Sequence, residues 1–262
     1  MTILKEINDY KLEFVKRKAK YQPIEELKSS LKIDRAKSFL FSSKLFQDQN
    51  HTSFIGEIKR ASPSAGKIIE DEVDILDIVK KYEINSVSCL SILTDEKYFN
   101  GSNEDLINVK DNTYLPILRK EFIVDEYQIY ESKYIGADCI LIIMALLDFD
   151  TATKFENLAH ELGLDVLIEV HNKQELEIAL KMKSKLIGIN NHNLKDFSVD
   201  INNCIKLSNI SDSNKLFVAE SGISKVDDIN LIQSESKINT FLIGEALINS
   251  DELLKYLNIN NL

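Results

Sequence analysis

DVLIEVHNKQELEIALKMKSKLIGIN, residues 165–190, places a segment of helical periodicity between two short apolar runs. The runs, 165–170 and 186–190, are rich in Val, Ile and Leu, a composition that favours buried strands. Between them, residues 172–182 repeat apolar side chains at the spacing of one helix face. A strand, a helix and a second strand in this order predict a parallel βαβ unit.

The same alternation continues in both directions from this unit. Six further apolar runs, which bring the total to eight, are 53–58, 86–93, 115–119, 139–143, 215–220 and 240–243. The other segments with helical periodicity are 74–82, 104–110, 125–134, 151–162, 200–208, 225–233 and 251–259. Eight strand–helix repeats are what a closed barrel requires. The sequence therefore predicts an α/β fold, a single (β/α)8 TIM barrel.

An open doubly wound sheet is the competing architecture. It is disfavoured because no G-x-G-x-x-G turn follows the first run and because polar residues end nearly every run instead of clustering at one point. Residues 1–50 differ, with helical spacing over 3–18 and a second helical stretch from Pro23 toward Phe41. We expect one domain, 1–262, with an N-terminal helical extension (1–50) before the barrel (51–262).

Composition narrows the functional class. The chain has 262 residues, 44% hydrophobic, and a net charge of −10, which argues against a nucleic-acid or anionic-membrane partner. No run approaches the roughly 18–20 apolar residues that span a bilayer, and the N-terminus lacks a signal-peptide pattern, so we expect a cytoplasmic protein. Its cysteines, Cys89, Cys139 and Cys204, have no metal-binding spacing and are expected to be packing residues.

Polar residues recur where the predicted strands end. Because side chains alternate along a strand and parallel strands end at one rim, these residues should face one mouth of the barrel. They are Glu57, Lys59, Lys120, Glu169, Asn190 and Glu220. Two lysines, three carboxylates and an amide at one mouth indicate an active site, and structural ion pairs closing the barrel are the alternative.

Two glycine-containing loops follow the last two runs. ESGIS (220–224) and LIGEA (242–246) place Gly222 and Gly244 after a strand and before a helix, where backbone N–H groups can approach an anion. Together they indicate a sugar-phosphate site. Glu245 would repel a phosphate through its carboxylate, so we expect its backbone to serve while its side chain points away.

Long segments of the chain resemble the indole-3-glycerol phosphate synthase family of tryptophan biosynthesis. They are GEIKRASPSAG (56–66), LSILTDEKYFNGSNEDL (90–106), LPILRKEFIVDEYQIYES (115–132), GADCILII (136–143), LAHELGLDVLIEVHNKQELEIAL (158–180), KLIGINNHNLKDF (185–197), VAESGIS (218–224) and FLIGEALI (241–248). The resemblance implies a carbon–carbon lyase (carboxy-lyase) that closes, decarboxylates and dehydrates 1-(2-carboxyphenylamino)-1-deoxyribulose 5-phosphate. It implies neither a metal nor an organic cofactor.

The resemblance also assigns roles to individual residues. Lys120 matches the general acid, Glu57 and Glu169 the catalytic carboxylates, Lys59 a second catalytic lysine and Asn190 a residue that orients the substrate. Further substrate-binding positions are Ser62, Pro63, Phe99, Phe122, Leu141, His192, Glu220 and Ser221. Phosphate-binding positions are Ser221, Gly222, Gly244 and Glu245.

One position departs from the family pattern. The family usually has arginine where this chain has His192, in NNHNL, and that arginine helps to hold the substrate carboxylate. Histidine offers fewer donors and is largely neutral near pH 7, so we expect weaker or pH-dependent substrate capture unless another residue substitutes. The remaining histidines, His51, His160 and His171, are interpreted as surface or capping residues.

Two other functions are compatible with such a barrel. Phosphoribosylanthranilate isomerase would share the glycine loops but is expected to use a Cys/Asp pair, and no cysteine here ends a strand convincingly. A non-catalytic barrel that binds a phosphorylated ligand is disfavoured by the retained lysines and carboxylates. The expected partner is a small phosphorylated substrate. The expected assembly is a monomer, with at most weak association with other tryptophan-pathway enzymes.

Overall fold

The computed structural model describes residues 3–31, 38–47, 51–63, 65–70, 72–193, 198–210 and 214–260. Its strands are β1 (Ser53–Ile58), β2 (Ala61–Ser62), β3 (Gly66–Lys67), β4 (Cys89–Leu93), β5 (Ile117–Lys120), β6 (Cys139–Ile143), β7 (Asp165–Val170), β8 (Leu186–Asn190), β9 (Leu216–Glu220) and β10 (Thr240–Ile243). All but β2 and β3 are parallel and close into a barrel in the order β1-β10-β9-β8-β7-β6-β5-β4. The predicted (β/α)8 barrel is confirmed.

Helices precede the barrel and follow its strands. They are α1 (Ile3–Tyr21), α2 (Ile24–Ser30), α3 (Leu40–Gln47), α4 (Ile75–Ile84), α5 (Glu96–Phe99), α6 (Asn103–Asp111), α7 (Glu126–Tyr134), α8 (Phe149–Glu161), α9 (Lys173–Ala179), α10 (Asn202–Ser208), α11 (Val226–Glu235), α12 (Glu245–Asn249) and α13 (Glu252–Asn260). Side-chain caps start several of them, including Asp74, Asp148 and Asn172. In the described part of the chain, no helix combines the length and apolar character needed to cross a membrane.

Two strands begin later than the apolar runs suggested. The run 86–93 becomes strand only at Cys89, because Ser86 adopts a left-handed conformation (φ 58°) that belongs to a turn. The run 115–119 becomes strand at Ile117 and extends to Lys120. Its neighbour Pro116 has no N–H to give to the ladder, although its carbonyl accepts a hydrogen bond from Leu90.

Apolar side chains fill the barrel interior. Ile55, Leu118, Leu167 and Val218 belong to this inner cluster, together with the predicted packing residues Cys89 and Cys139, and all are buried. Cys204 is buried in the outer layer. Helix α3 closes one end of the barrel by inserting Phe41 and Leu45 into the same cluster. That end is the amino-terminal one, since the Ser42 backbone donates to Asp165 at the start of β7.

Helices α1 and α2 pack against the outside of the barrel, next to α7. Val15 of α1, Leu27 of α2 and Tyr127 of α7 form a small buried cluster. The helical stretch predicted from Pro23 toward Phe41 is interrupted, because α2 ends at Ser30 and Leu31 is extended. Residues 32–37 of that stretch lie outside the described part, and α3 begins at Leu40. The hydroxyls of Ser29 and Ser30 both donate to the Glu26 carbonyl, which competes with helix propagation.

A buried ion cluster ties α1 to the loops after β4 and β5. Lys11 is 1% exposed, and its Nζ lies 2.7 Å from Asp95 and 2.8 Å from Glu121. Glu121 also accepts a hydrogen bond from Thr94 and one from the backbone of Phe122. A buried lysine is tolerated only with such partners. The cluster therefore fixes α1 over the carboxyl-terminal mouth of the barrel.

Candidate active site

A cavity of about 1110 Å³ opens at the carboxyl-terminal mouth of the barrel. Every site residue inferred from the sequence lines it. They are Glu57, Lys59, Ser62, Pro63, Phe99, Lys120, Phe122, Leu141, Glu169, Asn190, His192, Glu220, Ser221, Gly222, Gly244 and Glu245. The side chains at the strand ends therefore face one mouth of the barrel, as the alternation along the strands predicted.

Lys120 lies between two carboxylates at the floor of this cavity. Its Nζ is 2.9 Å from Glu169 Oε2 and 2.6 Å from Glu220 Oε2. Lys120 and Glu220 end β5 and β9, and Glu169 is the penultimate residue of β7. These are alternate strands of the barrel, and Glu57 lies on β1, the fourth strand of that set. One interior layer of a (β/α)8 barrel is built from alternate strands in this way.

This placement fixes the protonation states of the three groups. Burial alone would lower the pKa of Lys120, but the charges of Glu169 and Glu220 outweigh it and hold that pKa above its ordinary value. Burial would raise the pKa of Glu169, but Lys120 and His171 more than offset it, so the pKa falls. Burial raises the pKa of Glu220 to about 7, with Lys120 opposing and Glu169 assisting. An ionised ammonium, an ionised carboxylate and a carboxyl that titrates near neutrality therefore adjoin one another.

A glycine makes room for Glu220. A Cβ built on Gly188 of β8 would lie 1.8 Å from Glu220 Oε1, so no larger residue fits beside that carboxylate as it stands. This buried Oε1 has no hydrogen-bond partner among the described residues. A proton on Glu220 reduces the cost of leaving that oxygen unpaired, in keeping with the raised pKa.

A second ion pair faces the same cavity. Lys59, just past the end of β1, places its Nζ 2.9 Å from Glu57 Oε1. Gly244 lies against this pair, because a Cβ there would be 2.8 Å from Glu57 Oε1 and 3.3 Å from Lys59 Nζ. Glycine at this point therefore lets the backbone after β10 approach both charged groups.

The loop after β8 carries Asn190 and His192. Asn190 Oδ1 accepts a hydrogen bond from the His192 backbone, which fixes the amide at the end of the strand. His192 pairs in an antiparallel bridge with Val199, and the residues between them include 194–197, which lie outside the described part. The half-buried His192 ring lines the cavity, and its standing in place of a family arginine remains a prediction from the resemblance.

Aromatic rings line another wall. Phe99 and Phe122 have ring centroids 6.1 Å apart, and Tyr98 meets Phe122 edge-on at 6.4 Å. The hairpin of β2 and β3 brings Ser62 and Pro63 to the cavity, where the Ser62 hydroxyl accepts a hydrogen bond from Ala65. Such a wall offers a flat apolar surface to an aromatic ligand.

The two glycine loops lie at the remaining side of the mouth. Ser221 (φ 66°) and Gly222 (φ 78°) are consecutive left-handed residues, which turn the chain sharply after β9. A Cβ on Gly222 would lie 2.3 Å from Val199, so glycine is required by contact as well as by conformation. Glu245 opens the short helix α12, is exposed and also lines the cavity, so the direction of its carboxylate relative to a phosphate stays a prediction.

The interpretation of His171 as a surface or capping residue is wrong. Its side chain is 6% exposed, and its ring lies between two carboxylates, with Nε2 3.2 Å from Glu169 Oε1 and Nδ1 3.1 Å from Glu175 Oε2. His160 is half-buried against Ser184 and Phe39, whereas His51 is exposed as expected. For His171 the available signal was its position directly after β7, two residues past Glu169.

Sequence reasoning missed other contributors to the cavity. Leu4 and Ile7 of α1 and Tyr98 of α5 line it, and so does Glu121, which follows Lys120 directly. The helical stripe of α1 gave no indication of which surface it covers. Glu121 could have been found as a further charge at a strand end.

The chain matches the family model described as indole-3-glycerol phosphate synthase over residues 4–259. The indole-3-glycerol phosphate synthase of Caldanaerobacter subterraneus subsp. tengcongensis is 43% identical over 250 residues, covering 95% of this chain and 94% of that one. The protein of the same name from Legionella pneumophila (strain Lens) is 43% identical over 256 residues, covering 98% and 97%.

Structural comparison adds fold-level similarity. The thiamine phosphate pyrophosphorylase from Pyrococcus furiosus aligns with a TM-score of 0.58 and 11% identity, over 82% of this chain and 96% of that chain. At this identity the likeness concerns the barrel alone. The family match and the near full-length relatives are decisive, and the chain belongs to the indole-3-glycerol phosphate synthase family.

Proposed function

We propose that this protein converts 1-(2-carboxyphenylamino)-1-deoxyribulose 5-phosphate to indole-3-glycerol phosphate, carbon dioxide and water. The observation that carries the proposal is Lys120, held as a cation between Glu169 and Glu220 at the floor of the cavity. The reaction needs a proton donor and a proton acceptor within reach of one substrate. The cavity places both side by side. The relatives from Caldanaerobacter subterraneus and Legionella pneumophila are named indole-3-glycerol phosphate synthase.

Ring closure is the first step that the site can assist. The ring carbon that bears the carboxylate attacks the ketone carbon, and the ketone oxygen gains negative charge. Lys120 donates a proton to that oxygen, which becomes a hydroxyl. Loss of carbon dioxide then returns the bonding electrons to the ring and restores its aromaticity.

Dehydration follows from the same groups. The hydroxyl leaves as water when a lysine protonates it, and a carboxylate accepts the proton that the nitrogen loses. A final proton shift from carbon to nitrogen completes the indole. We assign the acceptor role to Glu169 or Glu57 and the second donor role to Lys59, whose ion pair with Glu57 faces the cavity.

The rest of the cavity suits the other parts of this substrate. The wall formed by Phe99, Phe122 and Leu141 offers an apolar surface to the carboxyphenyl ring. The backbone of Ser221, Gly222 and Gly244 would hold the phosphate, and Asn190, Glu220 and His192 the hydroxyls and carboxylate. We further propose that the protein acts in the cytoplasm as a monomer, with at most weak contacts to neighbouring pathway enzymes.

The isomerase alternative lacks support from the site. Cys89, Cys139 and Cys204 are buried, and none of them lines the cavity. A Cys/Asp acid–base pair therefore has no candidate cysteine at this mouth.

An indole-forming assay followed by fluorescence tests the proposal. We expect the protein to turn over the carboxyphenylamino-deoxyribulose phosphate and the Lys120→Met variant to lose about 10²–10⁴-fold in kcat. Lys154→Met is the matched control, because the Lys154 side chain is 68% exposed, forms an ion pair with Glu126 and does not line the cavity. Near wild-type turnover by Lys120→Met would assign Lys120 a structural role, and no turnover by the unmodified protein would reject the activity.

A further inference from the structure

His171 lies behind the cavity and is not part of its lining. It is the first residue after β7, and the helix α9 begins two residues later with Asn172 as its N-cap. The ring is nonetheless in contact with the cavity through Glu169, whose other oxygen binds Lys120. The two oxygens of one carboxylate therefore face two different cationic partners.

The two carboxylates beside the ring favour an imidazolium. Nε2 faces Glu169 at 3.2 Å and Nδ1 faces Glu175 at 3.1 Å. A neutral imidazole has one N–H, so its bare nitrogen would present a lone pair to an anionic oxygen. With both nitrogens protonated, each contact is attractive. Nε2 makes no aligned hydrogen bond to a described residue, so its contact with Glu169 acts mainly through charge.

Glu175 is itself held in place. Its Oε1 accepts a hydrogen bond of 2.6 Å from the Asn172 amide, and its Oε2 accepts one of 2.8 Å from the His171 backbone. Asn172 in turn accepts the backbone N–H of Glu175. The first turn of α9 therefore holds Glu175 in place, and Glu175 in turn fixes the orientation of the His171 ring.

We propose that His171, oriented by Glu175, is a positioning residue that holds the Glu169 carboxylate in place and keeps it ionised for proton transfer. The inference rests on the proposed function, because it gives Glu169 a reactive role. His171 touches Glu169 on Oε1 while Lys120 occupies Oε2. When Lys120 gives its proton to the substrate, His171 still supplies a positive charge to Glu169.

The pH dependence follows from the groups that face the ring. These are Glu169 from β7, Glu175 from α9 and, through Glu169, Lys120 from β5. The Asn203 amide of α10 donates to the backbone carbonyls of His171 and Asn190 and not to the ring. Burial would lower the pKa of His171, but the two carboxylates raise it to about 9. The charge is thus present at neutral pH and is lost as the pH rises through about 9.

The test compares three variants by kcat, KM and pH profile. His171→Asn removes contact with Glu169, and we expect kcat to fall about a hundredfold with KM unchanged. His171→Gln keeps a neutral donor near Nε2, so we expect a smaller loss. In both, the acidic limb of the profile moves to higher pH, because Glu169 loses a neighbouring cation. Glu175→Gln should move the alkaline limb to lower pH, because His171 loses a carboxylate.

His160→Gln is the control, since His160 is a half-buried histidine outside the cavity, and it should keep the wild-type kcat and profile. Nitrogen-15 NMR of the His171 ring supplies a readout independent of turnover, with both nitrogens protonated at pH 7 in the wild type. A neutral ring at pH 7, or a loss of kcat in His171→Asn without any shift of the profile, overturns the inference. An inactive wild type with a doubly protonated ring instead rejects only the proposed reaction.

Discussion

A single methyl group at Gly188 is predicted to disable the Lys120 site while the barrel stays folded. A Cβ there would lie 1.8 Å from Glu220 Oε1, and real Cβ contacts stay beyond 3.0 Å. The carboxylate oxygen must therefore move by at least 1.2 Å, which is the 3.0 Å limit minus the 1.8 Å contact. We expect this displacement to break the 2.6 Å contact between Glu220 Oε2 and Lys120.

The size of the effect follows from that displacement. A misplacement of about 1 Å at a reacting group can cost on the order of a hundredfold in rate, so we expect kcat/KM of Gly188→Ala to fall by about that factor. Overpacking typically costs about 1–3 kcal/mol, which this barrel should survive. The fluorescence assay for indole-3-glycerol phosphate measures kcat/KM, and urea unfolding measures the loss in the free energy of unfolding.

Two comparisons isolate the cause. Gly56→Ala adds the same methyl to β1, but there it meets the Tyr82 ring at 2.6 Å, so it should reduce stability and spare kcat/KM. In a Glu220→Ala background, Gly188→Ala should lower kcat/KM little further, since the carboxylate that the added methyl group displaces is absent. Wild-type kcat/KM in Gly188→Ala, or a full additional loss in the double variant, would refute the reasoning.

Three further predictions concern other residues of the site and its support. His192→Arg should lower KM at neutral pH, because a guanidinium keeps its charge and offers two parallel donors to a carboxylate, and steady-state kinetics that give an equal or higher KM would contradict this. Glu220→Gln should raise Tm relative to the wild type more at pH 8 than at pH 5. The raised pKa of about 7 means that the folded wild type holds an extra proton below that pH and loses stability as the pH rises through it, whereas glutamine does not titrate. Lys11→Met should cost about 3–5 kcal/mol in urea unfolding, because it leaves two buried carboxylates without their cation, and a loss under 1 kcal/mol would mean that they are compensated elsewhere.

The fold was accessible from sequence because its signal is periodic. Each strand–helix unit carries its own alternation, and errors at single boundaries leave the count of units unchanged. The errors had local causes, such as the left-handed Ser86 and the missing N–H of Pro116. The end of α2 was harder to place, because serine hydroxyls compete for helix carbonyls without changing the apolar stripe.

The inward-facing members of the site were also accessible, since alternation along a strand assigns each residue to a face. Residues outside that alternation were not. His171 lies one position past the strand, and its character depends on Glu175, which reaches back from the next helix. Lys11 depends on Asp95 and Glu121, which only the folded barrel brings to α1. Nothing in a local pattern indicates such partners.

The layer formed by Glu57, Lys120, Glu169 and Glu220 shows how the barrel holds reactive groups at neutral pH. Barrel interiors are usually filled by branched apolar residues, and replacing a buried ion pair with such residues often stabilises a protein. Here four alternate strands supply charges instead. Lys120 stays protonated because two carboxylates adjoin it, and Glu169 stays ionised because Lys120 and His171 adjoin it. Each group owes its protonation state to partners on other strands. An acid and a base therefore coexist in one cavity only once the barrel is closed, and the stability given up in this layer is what makes both available to the substrate.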